Sequence, residues 1–183
     1  MNSELYFSVD IESSGPIPGK YSMLSLGACV VGMPDESFYV ELKPISKEFI
    51  PEAIKVSGFD LEKLEKTGIS PEIAMKDFRS WVKKNTGVHK PVFVGFNGCY
   101  DWQFINWYLV SFTQGNPFGF GGIDIKSYFM GLNGIPWSKS TSSQLPLEFQ
   151  PDQPQTHNAL DDARAQASIF MKMLKKNSGK STD

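Results

Sequence analysis

The stretch Leu5-Tyr6-Phe7-Ser8-Val9-Asp10-Ile11-Glu12 is the part of the sequence from which the fold is most readily predicted. Apolar residues alternate with other residues as far as Ile11, and this period of two predicts a β-strand over Leu5–Ile11. Residues two apart on a strand point to the same face, so Asp10 and Glu12 would lie side by side. Neighbouring carboxylates repel each other, and a hard cation relieves that repulsion. The other interpretation is that the strand ends early and water solvates both acids.

The rest of the chain predicts further strands and then strands that alternate with helices. Ser70-Pro71-Glu72 is typical of a helix start, because a hydroxyl side chain caps the backbone and proline fits the first turn. After the first strand, the predicted elements are strands at Met23–Val31 and Ser37–Leu42 joined by a turn at 32–35, a helix from Ser70 to Gly87, a strand at Pro91–Phe96, a helix at about Asp101–Phe112, a short strand at Ile123–Ile125, a loop at Gly134–Pro154 and a helix at about Asn158–Lys176.

This order of elements predicts the α/β class, with one mixed central sheet flanked by helices. The length of 183 residues suits a single domain. We therefore expect one domain over residues 1–176, followed by a frayed tail over residues 177–183.

Composition limits the location and the partners of the protein. We expect neither a signal peptide nor a membrane span, because the N-terminal region lacks a basic segment and no stretch approaches the ~18 apolar residues that a span needs. Cys29 and Cys99 lack metal-ligand spacing and are predicted to be buried free thiols, which indicates the cytoplasm. The net charge of −2 disfavours a nucleic-acid partner, but two bound divalent cations would turn it into +2.

Two later segments place acids at predicted helix starts. Asp101 follows the strand that ends at Phe96, and sites in open sheets form at the carboxyl ends of strands. Capping of the helix N-terminus explains Asp101 equally well. Asn97, in the turn between strand and helix, is interpreted as a turn or cap residue rather than as a ligand.

The third segment combines a histidine with acids. His157 and Asp162 are five positions apart, with four residues between them, at the start of the last predicted helix, so a loop histidine and a first-turn acid can converge on one site. Histidine suits general-base catalysis near neutral pH. Asp161 and Asp162 would both favour the positive end of the helix dipole. We expect this to be the whole role of Asp161 but not of Asp162.

Taken together and in this order, the three segments resemble the motifs of the DEDDh exonuclease superfamily, which includes ribonuclease T, oligoribonuclease and the proofreading subunit of bacterial DNA polymerase III. The first motif is similar to Val9–Gly15, the second to Val94–Asn97 leading to Asp101, and the third to His157–Ala163. Three ordered motifs with correct internal spacing are specific, whereas the first alone would be weak. The resemblance extends over about residues 5–175.

This resemblance implies an RNase H-like fold and a metal-dependent 3′→5′ exonuclease that hydrolyses phosphodiester bonds from the 3′ end of single-stranded RNA or DNA. It implies two Mg²⁺ ions, or Mn²⁺ in their place, held by four carboxylates. Asp10 would bridge both cations, Glu12 and Asp162 would complete one of the two sites, and Asp101 would hold the other cation through water. His157 would take the proton from the attacking water.

Candidate substrate contacts are less sharply defined by the sequence. Ser13 keeps a hydroxyl where the family often has threonine, and Asn97 lies beside the predicted site. Trp102 and Phe59 could stack on unpaired bases, although packing in the core is the more frequent role of such aromatic residues. Ser25 departs from the family pattern, in which an acid is common at this position.

Two other functions compete with this interpretation. One is a catalytically idle nucleic-acid-binding module of the same fold, and the other is an RNase H-type endonuclease. The presence of all four acids disfavours the first, and the pairing of His157 with Asp162 disfavours the second. The choice between RNA and DNA stays open, with a slight preference for RNA ends because the domain stands alone. A homodimer is compatible with the sequence.

Overall fold

The computed structural model describes residues 3–152 and 156–179, and a five-stranded mixed sheet lies at its centre. The strands are β1 Glu4–Ser13, β2 Met23–Val30, β3 Met33–Glu41, β4 Lys90–Gly95 and β5 Gly122–Asp124. The helices are α1 Pro51–Ser57, α2 Leu61–Thr67, α3 Pro71–Thr86, α4 Cys99–Phe112, α5 Ile125–Asn133 and α6 Ala159–Gly179, and three 3₁₀ turns lie at Trp137–Lys139, Ser142–Gln144 and Leu147–Phe149.

The order of strands in the sheet is β3-β2-β1-β4-β5. β1 to β3 form an antiparallel meander, whereas β4 runs parallel to both β1 and β5. β1 is therefore the central strand, and its carboxyl end lies at the same edge of the sheet as the carboxyl end of β4. This arrangement confirms the predicted α/β class with a mixed sheet flanked by helices.

Each face of the sheet carries its own hydrophobic core. The first core joins β1, β2 and β4 to α3 and α4, with Phe7, Phe78 and Tyr108 among its fully buried side chains. The second core joins the opposite face to α5 and α6 through Phe129 and Phe170. Burial of aromatic and aliphatic side chains on both faces explains why β2 is buried along its whole length.

Gly27 allows α6 to begin in contact with the sheet. A Cβ atom at this position would lie 2.2 Å from the carbonyl carbon of Ala159 and the nitrogen of Leu160, so any other residue would push the helix away. Gly27 pairs with Asp10 across β1 and β2. The absence of a side chain at Gly27 therefore brings the first turn of α6 close to Asp10.

The structure differs from the predicted elements in several places. Helices α1, α2 and α5 were not predicted, and Ile125 begins α5 instead of ending β5 because Asp124 caps that helix. Cys99 is exposed, so the prediction of two buried thiols holds only for Cys29. Helix α6 continues beyond Lys176, while residues 180–183 of the predicted tail and residues 153 and 154 of the predicted loop lie outside the described residues.

Candidate carboxylate site

The carboxyl ends of β1 and β4 and the start of α6 enclose a polar pocket of about 580 Å³. Its lining consists of four acidic residues, one histidine and four neighbours: Asp10, Glu12, Asp101, Asp162, His157, Ile11, Phe96, Asn97 and Tyr100. All five residues that the sequence predicts to be catalytic therefore lie in one pocket. They come from three segments that are far apart in the chain.

Asp10 and Glu12 stand on β1, which does not end before them. Pairing with β2 continues through Glu12, opposite Ser25, and the register shifts only between Glu12 and Ser13. The interpretation that the strand ends early and leaves both acids in water is therefore wrong. Both side chains are half-buried on the same face of the sheet.

Asp101 is tied to β1 although it belongs to α4. Its carboxylate accepts a hydrogen bond of 3.1 Å from the backbone N–H of Ile11, and the residue is 5% exposed. Helix α4 begins at Cys99 and its N-cap residue is Gly98, which has no side chain, so Asp101 does not serve as the N-cap. The contact with Ile11 fixes the carboxylate beside Asp10 and Glu12.

Asp162 organises the loop that carries His157. Its two carboxylate oxygens accept hydrogen bonds from the backbone N–H groups of Thr156 and His157, at 2.8 and 3.1 Å. His157 has a positive φ of 58°, an uncommon conformation for a residue other than glycine. Asp161 faces away, half-exposed, with its carboxylate 3.8 Å from Arg164. The two adjacent acids thus have different environments, with Asp162 in the pocket and Asp161 at the surface.

The acids in the pocket destabilise one another when they are ionised. Burial raises the pKa of Asp10 well above its ordinary value, and the charges of Asp101, Asp162 and Glu12 raise it further, against a hydrogen bond from Gln166 that lowers it. Burial and then the charge of Asp162 raise the pKa of Glu12 to about 7. Burial also raises the pKa of Asp101, partly offset by the N–H of Ile11. Without a bound cation, these carboxyl groups therefore keep their protons to a higher pH than ordinary acids do.

This donor set fits hard divalent cations. One ligand atom each from Glu12, His157 and Asp162 lie within 4.8 Å of one another, and Asp10 and Asp101 add further carboxylate oxygens to the same pocket. Mg²⁺ and Mn²⁺ prefer oxygen ligands. A bound cation would also remove the repulsion that raises the pKa values of these acids.

The predicted substrate contacts are divided between the pocket and other places. Asn97 lines the pocket with a positive φ of 54°. Ser13 lies just behind it, where its hydroxyl donates to the carbonyl of Gly15 at 2.9 Å and shares a hydrogen bond of 2.6 Å with the hydroxyl of Tyr100. Trp102 packs edge-on against Phe93, at 5.2 Å between ring centroids, and lines a different cavity.

Phe59 lies in the connection between α1 and α2 and is half-buried. It is absent from the described residues that line the carboxylate pocket.

The sequence analysis did not predict two residues at the site, Tyr100 and Gln166. Tyr100 immediately precedes Asp101, and Gln166 follows Asp162 by one helical turn, so helical spacing could have found Gln166.

The pocket combines four acids, which could bind cations, with a histidine in the same cavity, and this arrangement suits metal-dependent hydrolysis of phosphodiesters. The exonuclease family model RNase_T matches residues 7–170. The chain is also 44% identical to the 3′-5′ DNA exonuclease Cap18 of Escherichia coli over 183 residues, which cover all of this chain and 98% of that protein. The chain therefore belongs to the DEDDh 3′→5′ exonucleases, and the predicted enzyme class is confirmed.

Solved structures show the same fold. The nuclease domain of 3′hExo, a DEDDh family member bound to rAMP, has a TM-score of 0.74 and 17% identity, covering 94% of this chain and 92% of that chain. Exonuclease I of E. coli in complex with a dT13 oligonucleotide has a TM-score of 0.70 and 15% identity. The match covers 97% of this chain and 42% of that chain.

Exonucleases of this family depend on divalent metal ions. Pop2p of S. pombe, solved with Mg²⁺ and Mn²⁺ bound, has a TM-score of 0.66 and 15% identity, covering 97% of this chain and 86% of that chain.

None of the helices within residues 3–152 and 156–179 of this chain combines the length and the apolar character that a membrane crossing requires.

Proposed function

We propose that this exonuclease removes nucleoside 5′-monophosphates from the 3′ ends of single-stranded DNA, with Asp10, Glu12, Asp101 and Asp162 as metal ligands and His157 as the general base. The observation that carries this proposal is the pocket in which these five side chains meet. DNA is preferred to RNA because the relative that is 44% identical is named a DNA exonuclease. This reverses the slight preference for RNA that the isolated domain suggested.

Two Mg²⁺ ions, or Mn²⁺ in their place, are the proposed cofactors. Asp10 would contribute to the binding of both cations, because the charges of Asp101, Asp162 and Glu12 all raise its pKa, whereas the charge of Asp162 is the one that raises the pKa of Glu12. Glu12 and Asp162 would hold one cation and Asp101 would contribute to the other. The cations supply charge stabilisation to the attacking and leaving oxygens.

His157 is placed for proton transfer by its loop. Its backbone N–H donates to Asp162, so the imidazole is attached to a residue fixed against a ligand, yet the side chain is exposed and free to meet substrate. In the proposed step the oxygen of a water molecule attacks the terminal phosphorus and the proton of that water passes to the imidazole of His157. The bond between phosphorus and the 3′ oxygen of the preceding nucleotide breaks, and this oxygen takes up a proton from solvent as it leaves.

Single-stranded 3′ ends are the proposed partner, and the contacts nearest the scissile bond would come from Asn97, Ser13 and Tyr100. Asn97 and Tyr100 line the pocket, and the hydroxyl of Tyr100 is held by Ser13. The stacking of Phe59 and Trp102 on unpaired bases stays a prediction. A cytoplasmic location is also part of the proposal, supported by two free cysteines. No observation on the described residues supports the homodimer.

The decisive experiment is digestion of matched DNA and RNA 15-mers with and without Mg²⁺. With a label at the 5′ end, we expect a ladder that shortens one nucleotide at a time, for DNA before RNA, and no reaction in chelator. Asp162→Asn serves as the inactive variant and Asp161→Asn as its matched control, since the two acids are adjacent but only Asp162 lies in the pocket. Internal fragments would indicate an endonuclease, and binding without cleavage would indicate an idle module.

A further inference from the structure

Gln166 on α6 connects the two strand ends that form the carboxylate site. The residue is 1% exposed, and both ends of its side-chain amide are engaged. Its Nε2 donates to Oδ1 of Asp10 at 2.6 Å, and its Oε1 accepts from the backbone N–H of Phe96 at 2.9 Å. One side chain therefore joins β1, α6 and the residue that follows β4.

The two hydrogen bonds fix the orientation of the amide. A carboxylate only accepts hydrogen bonds and a backbone N–H only donates, so a rotated amide would leave Asp10 facing an oxygen and Phe96 facing an NH₂ group. Buried polar groups without partners are costly, and this cost holds Gln166 in the observed orientation. Asp10 is thereby held at Oδ1 by a rigid donor.

A neutral donor suits the charge of this site. Asp10 is repelled by Asp101, Asp162 and Glu12, and a hydrogen bond from Gln166 stabilises its ionised form without neutralising it. A lysine or arginine in this place would cancel the negative charge that attracts a cation. The amide thus orients Asp10 and leaves the charge of the pocket available.

We propose that Gln166 is a positioning residue, which holds Asp10 in the orientation in which it binds the divalent cation and links that carboxylate to the end of β4. The proposal rests on the proposed function, because it takes Asp10 as a metal ligand. Hydrogen-bond partners of metal ligands affect affinity strongly, and their loss costs about 10–100-fold in metal affinity or activity.

Replacement of Gln166 by methionine tests the proposal, since Gln166→Met keeps the length of the side chain and removes both hydrogen bonds. Mn²⁺ binding is measured on the folded protein by the electron paramagnetic resonance of free Mn²⁺, and turnover of a DNA 15-mer is measured as Mn²⁺ is raised. We expect Mn²⁺ binding about 10–100-fold weaker than in the wild type. The KM for the oligonucleotide at saturating Mn²⁺ should stay within about threefold, because Gln166 is not among the residues that line the pocket.

A merely structural role predicts a different outcome. Ile169 lies on the same helix, is 2% exposed and belongs to the second core, so Ile169→Val and Ile169→Ala lower stability without touching the amide. The variant whose melting temperature matches that of Gln166→Met is the control and should bind Mn²⁺ like the wild type. Wild-type Mn²⁺ binding by Gln166→Met, or equal weakening in the Ile169 control, would overturn the proposal.

A second variant keeps the test open if Gln166→Met does not fold. Gln166→Asn retains the amide on a side chain shorter by one methylene, which cannot span from Asp10 to Phe96, and it should also weaken Mn²⁺ binding. Asp10→Asn distinguishes a failure of the proposed function from a failure of the role of Gln166 alone. If Asp10→Asn binds Mn²⁺ and cleaves normally, the proposed function fails. If it loses both while Gln166→Met and Gln166→Asn behave as wild type, only the role of Gln166 fails.

Discussion

Removal of divalent cations should make the stability of this protein fall as the pH rises from about 4.5 to about 7. The pKa of Glu12 is raised from 4.5 to about 7 in the folded protein by burial and by the charge of Asp162. Between these pH values the folded state keeps a proton that the unfolded state has released, so higher pH favours unfolding. At about 1.4 kcal/mol per pKa unit, Glu12 alone costs on the order of 3 kcal/mol above pH 7. The raised pKa values of Asp10 and Asp101 act in the same direction.

Urea unfolding in chelator, at intervals between pH 4.5 and pH 8, measures this effect, and Glu12→Gln isolates it. Groups that titrate alike in both proteins contribute equally to the two stabilities, so the difference in stability between wild type and variant reports Glu12. Glu12→Gln should match the wild type at pH 4.5 and exceed it at pH 8, by up to about 3 kcal/mol. Saturating Mg²⁺ should reduce or reverse that difference, because the cation then stabilises the ionised wild-type site. Parallel stability curves for the two proteins in chelator would refute the reasoning.

The remaining predictions concern catalysis. Asp10→Ala should abolish turnover and leave the melting temperature in chelator equal or higher, because it removes the carboxylate that three others repel; a folded variant with near wild-type turnover would contradict the assignment. Asp162→Asn should abolish activity, whereas Asp161→Asn should cost only ~0.3–1 kcal/mol of stability and little turnover, as urea unfolding and oligonucleotide digestion would show. His157→Ala should lower turnover by ~10²–10⁴ while Mn²⁺ affinity changes little; an early melt with full specific activity would make the histidine structural.

Elements with a strong local pattern were predictable from the sequence. The alternation in Leu5–Ile11 marks β1. The hydroxyl oxygen of Ser70 caps α3 by accepting a hydrogen bond from the N–H of Ile73, as its sequence context predicts. These features depend on residues within a few positions of one another. The same is true of the spacing between His157 and Asp162, which the hydrogen bond between them reflects.

Other elements could not be predicted because their local signals are weak or are overridden. Helices α1 and α2 have only seven residues each, too short for a clear apolar period. Helix α5 follows β5 without a break, so the apolar residue Ile125 looked like the end of a strand. The contact between Gln166 and Asp10 spans most of the chain, and only the packing of α6 on the sheet creates it.

The carboxylate site and the fold place opposite demands on the same residues. Neutral side chains at Asp10 on β1 and Asp101 on α4 would make the fold more stable, since burial and the charges of neighbouring acids raise the pKa of both. The protein tolerates these acids because backbone and side-chain donors hold them: the N–H of Ile11 binds Asp101 and the amide of Gln166 binds Asp10. Such donors lower the cost of ionisation without cancelling the charge. A bound cation relieves the repulsion that remains between the acids. The free energy of that relief therefore contributes to the affinity of the site for metal.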